Sequence, residues 1–250
     1  MYTIIIDYRL KGIIERYNFV ENTIIEPPIS DTPNPDERVP VQHDTDLGYI
    51  KRIAERYGYV FYIDSKYQGA DAFHDEPYVI DSAYWGPPQR SGLPQKALSV
   101  NRGYSSNVEK IDFSYDALEP ITVSGLLQDA KTNQAVSVNA FTSNRTPLSG
   151  TGSYGRTGSV LLEGGQGFEH QQALAKAQAM VDVSRDNVVV ATGTLDYTRY
   201  RRVLKARALV RVDGAGSGFN GSYYVKQITH ILKPLEERYQ QEFKLVRDAL

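Results

Sequence analysis

The chain has 250 residues, 41% hydrophobic and 23% charged, with 28 basic against 30 acidic side chains. That length supports one large or two modest domains with real cores, and a net charge of −2 argues against a general electrostatic grip on nucleic acid. The absence of cysteine excludes disulfides, thiolate metal sites and cysteine nucleophiles, and no apolar run approaches the roughly 20 residues that cross a bilayer as a helix.

Met1 to Ile6 lacks the basic start and small-residue cleavage site of a secretory signal, so cytoplasmic synthesis is the expectation. Ile6, Leu10, Ile13, Ile14 and Tyr17 share a helical stripe, which predicts a helix over about residues 4–17. A short strand near Thr23–Glu26 follows. Pro27 and Pro28 end it, and Pro33, Pro35 and Pro40 keep the next segment extended.

Leu47, Ile50, Ile53, Ala54 and Tyr57 then recur at three- and four-residue steps, the stripe of an amphipathic helix. Asp44 or Thr45 can cap its first turn, and Asp46 adds negative charge where the helix dipole favours it. Gly58 suits a left-handed C-terminal residue, and Tyr59 to Ile63 reads as a strand. Residues 65–77 are expected as a loop and 78–80 as a short strand. The Trp85-Gly86-Pro87-Pro88 run breaks the pattern, with a domain boundary near residue 92. Trp85 reads as a packed anchor between domains rather than a ligand platform.

From residue 97 the chain turns to β-structure. Ile111, Phe113 and Tyr115 alternate with Lys110, Asp112 and Ser114, the pattern of a strand with one buried face. Residues 121–128 and 135–138 read as strands joined by a turn at 129–133. Residues 142–158 have almost no apolar content and are expected to be a mobile loop. An alanine-rich helix is expected over 168–185, with a narrow apolar stripe of Ala173, Leu174, Ala177, Met180 and Val181. Four strands follow near 188–195, 203–212, 222–232 and 238–247. In the last, Tyr239, Phe243 and Leu245 fall on one face by parity. The 18 tyrosines against 8 phenylalanines suit β-structure and interfaces, because tyrosine buries a ring and keeps a polar tip. The sum is an α+β, mainly β fold: a small helix–strand domain over 1–92, then an antiparallel β-barrel with a helical insertion over 93–250.

Four stretches carry a family resemblance. The acidic-Thr-Asp start followed by LxxIKRIAERYGY and an aromatic strand resembles the middle of the phage late control D proteins. It is also similar to the N-terminal region of VgrG spike proteins and to hubs of contractile injection particles. GFNGSYYVKQITHIL followed by YQQEFKLVRDAL resembles the closing hairpin of that family, where a glycine turn leads to a Tyr-Tyr-Val strand and a partner strand ending in an arginine. NVEKIDFSYDALEPITVSGLLQDAKTNQ resembles the entry into its second barrel, and residues 168–185 its inserted helix. The match spans roughly residues 40–250, and the chain begins too late to hold the family's complete first barrel.

The resemblance implies a non-enzymatic baseplate hub linking tail tube to spike, a homotrimer with tube and spike proteins as partners, made in the cytoplasm and then incorporated into a particle. An alternative from another class is a carbohydrate- or cell-wall-binding β-domain, whose tyrosine-rich strands would stack on sugars.

No catalytic, cofactor or metal residue is assigned. Asp44-Thr45-Asp46 fits a metal-binding D-x-D pattern, but helix capping explains these residues fully. Gly216 to Gly221 and Gly150 to Gly155 both match G-x-G-x-x-G, yet the first leads into a strand and the second lies in a polar loop, so neither opens a helix onto phosphate. His43, His74, His170 and His230 form no ligand spacing; His170 is expected to be solvated and His230 to accept a backbone bond. Asp75/Glu76 and Glu236/Glu237 read as exposed loop acids.

Overall fold

The computed structural model describes residues 5–17, 19, 21–29, 42–69, 76–129, 132–150, 157–162 and 169–250. The expectations for Pro33, Pro35, Pro40, His74, Asp75, Ala130, Lys131, residues 151–156 and Phe168 lie outside them. In chain order the elements are α1 (Ile5–Arg16), β1 (Glu21–Ile24), α2 (Asp46–Arg56), β2 (Val60–Gln68), β3 (Tyr78–Gly86), β4 (Gln95–Ser99), β5 (Lys110–Tyr115), β6 (Ile121–Gln128), β7 (Ala135–Ala140), β8 (Gly158–Leu161), α3 (His170–Asp186), β9 (Val189–Asp196), α4 (Tyr197–Tyr200), β10 (Leu209–Asp213), β11 (Gly221–Lys233) and β12 (Arg238–Arg247). They divide into two units: Met1–Pro88 with Ser124–Asn139 and Leu162–Ala179, and Gln89–Val123 with Ala140–Leu161 and Met180–Leu250.

In the first unit, Thr45 caps α2 by accepting from the Gly48 amide at 3.2 Å. Asp46 accepts from Gln42 and Tyr17 at 2.8 and 3.1 Å, with Arg16 beside it. These hydrogen bonds, Gln42 foremost, hold its carboxyl below the ordinary range. Asp44 pairs with Arg52 at 3.2 Å. The D-x-D residues thus shape a helix start. Gly58 ends α2 at φ +64°, with Gly58 N–H donating to Glu55 and Tyr59 N–H to Ala54, the paired bonds of a Schellman stop. The buried face of α2 is Tyr49, Ile50, Ile53 and Ala54, while Leu47 is 49% exposed. The stripe is therefore rotated from the expected one, because Tyr49 turns inward.

Those residues join Leu10, Ile13 and Ile14 of α1 and Trp85 of β3 in one core. Trp85 is 1% exposed and meets Tyr57 and Tyr59 edge-on. It is a core residue of this unit, and no ligand platform. β3 pairs antiparallel with β2 over Val60–Gln68 and parallel with β1. Both β2 and β3 outrun the expected strands, so residues 65–68 are paired rather than looped and Trp85-Gly86 closes a strand.

The α3 helix buries Ala173, Ala175, Ala177, Ala179 and Val181, a broader surface than a narrow stripe. A three-stranded sheet has the order β7-β6-β8, and Asp129, Asn133 and Gln134 close the β6–β7 turn through backbone bonds.

The second unit holds a six-stranded sheet, order β4-β10-β11-β12-β9-β5, antiparallel except for the β4–β10 pair. Its core includes Leu98, Val189, Ala191, Leu195, Val212, Tyr223, Phe243 and Leu245. The α+β class holds, but the expected barrel does not: among the described residues no sheet closes on itself, since the edge strands β4 and β5 do not pair. Asn107 lies along the free edge of β4. Its side-chain amide accepts from Ser99 N–H at 2.8 Å and donates to the Ala97 carbonyl at 2.9 Å, and its own N–H reaches the Ser99 carbonyl. The free edge of β4 is thereby occupied by one asparagine rather than by β5. Residues 203–208, expected as strand, are irregular, and strand structure resumes at Leu209.

Residues 142–150 are tied down within the same unit. Asp182 accepts from Ser143 Oγ and Asn144 N–H at 2.7 and 2.8 Å, and Asp248 from the Leu148 and Ser149 amides at 2.9 and 3.1 Å. Arg90 donates to Asp186 at 2.5 Å, and Arg145 lies 3.6 Å from the same carboxylate. Burial pushes the Asp186 carboxyl above its ordinary value despite both guanidiniums.

Candidate interaction surface

Alternation along β5, β9, β12 and β11 sends one set of side chains into the core and the other to the opposite face. On β12, Gln241, Phe243 and Leu245 are buried while Glu242 and Lys244 point outward, as strand parity predicts. Two cross-strand rows result. Lys110 stands level with Thr194, Glu242 and Thr229; Asp112 stands level with Thr192, Lys244 and Gln227. These eight residues, with Gly193 and Phe243, line an open groove of about 300 Å³.

Within the groove the charges sit on β5 and β12, and Lys226 of β11 lies near enough for the Lys244 charge to act on it. Lys110 pairs with Asp112 at 2.8 Å, and that hydrogen bond and charge raise its ammonium above the ordinary value. The groove floor offers no exposed ring, because Phe243 is 3% exposed.

One end of the face is braced. Asp196 caps α4, accepting from Thr198 N–H at 2.8 Å, and takes Arg238 Nε at 3.0 Å. The Thr198 bonds, then Arg238, hold its carboxyl below the ordinary range. Glu109 accepts from Gln240 at 2.8 Å and also pairs with Arg238. Beyond this brace the β11–β12 hairpin projects. His230 stacks on Tyr239 at 5.9 Å, with Nδ1 2.5 Å from the phenol oxygen, so its partner is a side chain and not the expected backbone group. Glu236 and Glu237 are exposed at the hairpin turn.

At the other end lies the glycine loop between β10 and β11. Gly214, Gly216 and Gly221 adopt positive φ. Arg247 donates to the Gly218 and Asn220 carbonyls at 3.1 and 2.7 Å, and its guanidinium lies 5.3 Å from the Tyr223 ring centre. A nucleotide loop turns N–H groups toward phosphate; this one turns carbonyls toward a cation. His170 begins α3, half-buried with Nδ1 lacking a hydrogen-bond partner among the described residues, so it is less solvated than expected. His43 is exposed. Among the described residues no group of three or more His, Asp or Glu side chains could hold a metal ion, and no helix is long and apolar enough to cross a membrane.

The alternation in β5 was legible from sequence. The opposite corners, Glu242 and Lys244, needed the β9–β12 register, which no local signal carries.

No family model matches the chain, and no curated protein matches its sequence. Solved structures do share its fold. The tail protein from Neisseria meningitidis MC58 superposes with a TM-score of 0.58 at 15% identity, over 96% of this chain and 65% of that one. The 43 kDa tail protein of prophage MuSo2 from Shewanella oneidensis superposes with a TM-score of 0.56 at 12% identity, over 99% of this chain and 67% of that one. This chain therefore spans about two thirds of the length of either tail protein. The relationship is a distant structural similarity to phage tail proteins, carried by the fold.

Proposed function

We propose that the chain is a non-enzymatic structural component of a contractile tail or injection particle, of the late control D and VgrG-like kind, acting as a baseplate hub between tube and spike. The observation that carries this reading is the shared fold with two tail proteins over 96% and 99% of the chain. The four sequence stretches that resemble the hub family support it independently. The chemistry is that of assembly: a braced sheet presents charged and polar side chains, and no metal cluster is found among the described residues. Three copies closing as a ring would satisfy every heterologous contact without growing a filament. Its partners in this reading are further copies of itself, a tail tube protein and a spike protein, met after synthesis in the cytoplasm.

The test is light scattering of the chain mixed with a tail tube protein and a spike protein from the same source. Co-elution in a complex holding three copies is the expected result. Failure to associate with either protein overturns the reading.

A further inference from the structure

We propose that the outer face of β5, β9, β12 and β11 pairs two copies of this chain face to face about a two-fold axis. The four charges stand at the corners of a rectangle. Lys110 and Asp112 occupy one side on β5, and Glu242 and Lys244 the other on β12, with β9 between them. Strand spacing and rise make this rectangle about 10 Å by 7 Å. Like charges lie on diagonals: Lys110 is level with Glu242, and Asp112 with Lys244.

This diagonal pattern is complementary to itself. With the two-fold axis along β9, Lys110 meets the partner's Glu242 and Asp112 meets the partner's Lys244. With the axis across the strands, Lys110 meets the partner's Asp112 and Glu242 meets the partner's Lys244. Either placement sets each of the four corner charges against its opposite. Had both lysines shared a strand, one of the two axes would have set like against like. Isologous contacts need such self-complementarity, and two-fold dimers are the commonest closed assembly.

The remaining surface permits close approach. Between the charged strands lie only Thr192 and Thr194, with Gly193 adding no side chain. Gln227 and Thr229 extend the neutral polar area on β11. The groove of about 300 Å³ gives the partner's lysine stems a place to enter. Exposed ion pairs are individually weak and screened by salt, so the dimer is reversible and salt-sensitive. It is a property of the free chain and does not depend on the tail reading.

The test is sedimentation velocity of the full chain at low salt over a concentration series. A reversible shift to twice the chain mass is expected, lost near molar salt. Two charge variants then probe the pattern: a cationic one, Asp112→Lys with Glu242→Lys, and an anionic one, Lys110→Glu with Lys244→Glu. Each alone should raise the dimer dissociation constant at least about tenfold, through like-charge contacts. Mixed in equal amounts, they should restore the two-chain mass with one copy of each. Thr192→Arg, at the centre of the face, should also break the dimer. Circular dichroism and thermal unfolding verify that each variant is folded. A single-chain mass for the wild type at every concentration overturns the proposal, as does undiminished pairing of either charge variant alone, or a mixture that stays unpaired.

Discussion

Phe243 lies directly across from Gly193 in the β12–β9 pairing, and its ring occupies the space a side chain there would need. A Cβ added at Gly193 would fall 2.5 Å from Phe243 Cζ and would also collide with the Lys110 carbonyl. The glycine and the aromatic ring are thus one packing unit, with the ring covering a backbone that glycine leaves bare. Phe243→Ala should destabilise the chain by about 3–5 kcal/mol, the cost of a lost buried ring and its cavity. Gly193→Ala should also destabilise it, because strand backbone on one side and the ring on the other must move. Lys244→Ala, one residue along and outward, should be nearly silent. Equal small effects at 243 and 244 in urea titrations would refute the assigned core face.

Asp196 makes stability depend on acid. Its carboxyl titrates below the ordinary 3.8, chiefly because Thr198 hydrogen-bonds it, with Arg238 adding to this. A lowered carboxylate value means that the unfolded chain binds the proton first as pH falls. The stabilisation is therefore complete above the ordinary value and is lost as pH drops through the lower folded one. Asp196→Asn should flatten this part of the acid limb while lowering stability near neutrality. Melting temperatures of both chains from pH 7 down to pH 2 check it; parallel curves would show that Asp196 does not contribute.

How much of this could be read beforehand follows from the range of each interaction. The ends of α2 were legible because Thr45 and Gly58 act within a few residues of themselves. The buried parity of β12 was legible because alternation is local. Leu47 was misplaced because Tyr49 competes for the same core, a choice made by α1 and β3 rather than by helix periodicity. The open sheet was illegible because the pairing of its edge strands is not a local property; one amide, Asn107, lies along the free edge of β4. Residues 142–150 read as mobile because their order comes from Asp182 and Asp248, each some tens of residues or more away in sequence.

That last arrangement gives a proteolysis prediction. The Arg145 side chain is 5% exposed and its neighbours Ser143 and Asn144 are bonded to Asp182. Trypsin should therefore cut the native chain slowly after Arg145. Asp182→Ala removes the acceptor of two bonds, and about 1.4 kcal/mol of lost local stability would speed cleavage about tenfold where it tracks the open population. Mass spectrometry of timed digests reads the site directly. Rapid native cleavage at Arg145 would show that these bonds do not hold the segment.

Arg247 sets the shape of the glycine loop. Its guanidinium reaches the carbonyls of Gly218, Asn220 and Ala249 while packing 5.3 Å from the centre of the Tyr223 ring. Gly221 favours glycine because its φ is +131°, and a Cβ there would also push on the Arg247 guanidinium, 2.9 Å away at Nη1. Lysine in place of this arginine keeps the charge but loses the planar fork, so one ammonium cannot serve three separated carbonyls. A stranded buried acceptor costs about 1–3 kcal/mol, and Arg247→Lys should lose stability on that scale. Amide exchange of residues 216–221 should accelerate more than that of β12, since the loop depends on the fork and the strand is held by two neighbours. A lysine variant with wild-type stability and wild-type exchange in the loop would show that the charge alone suffices there.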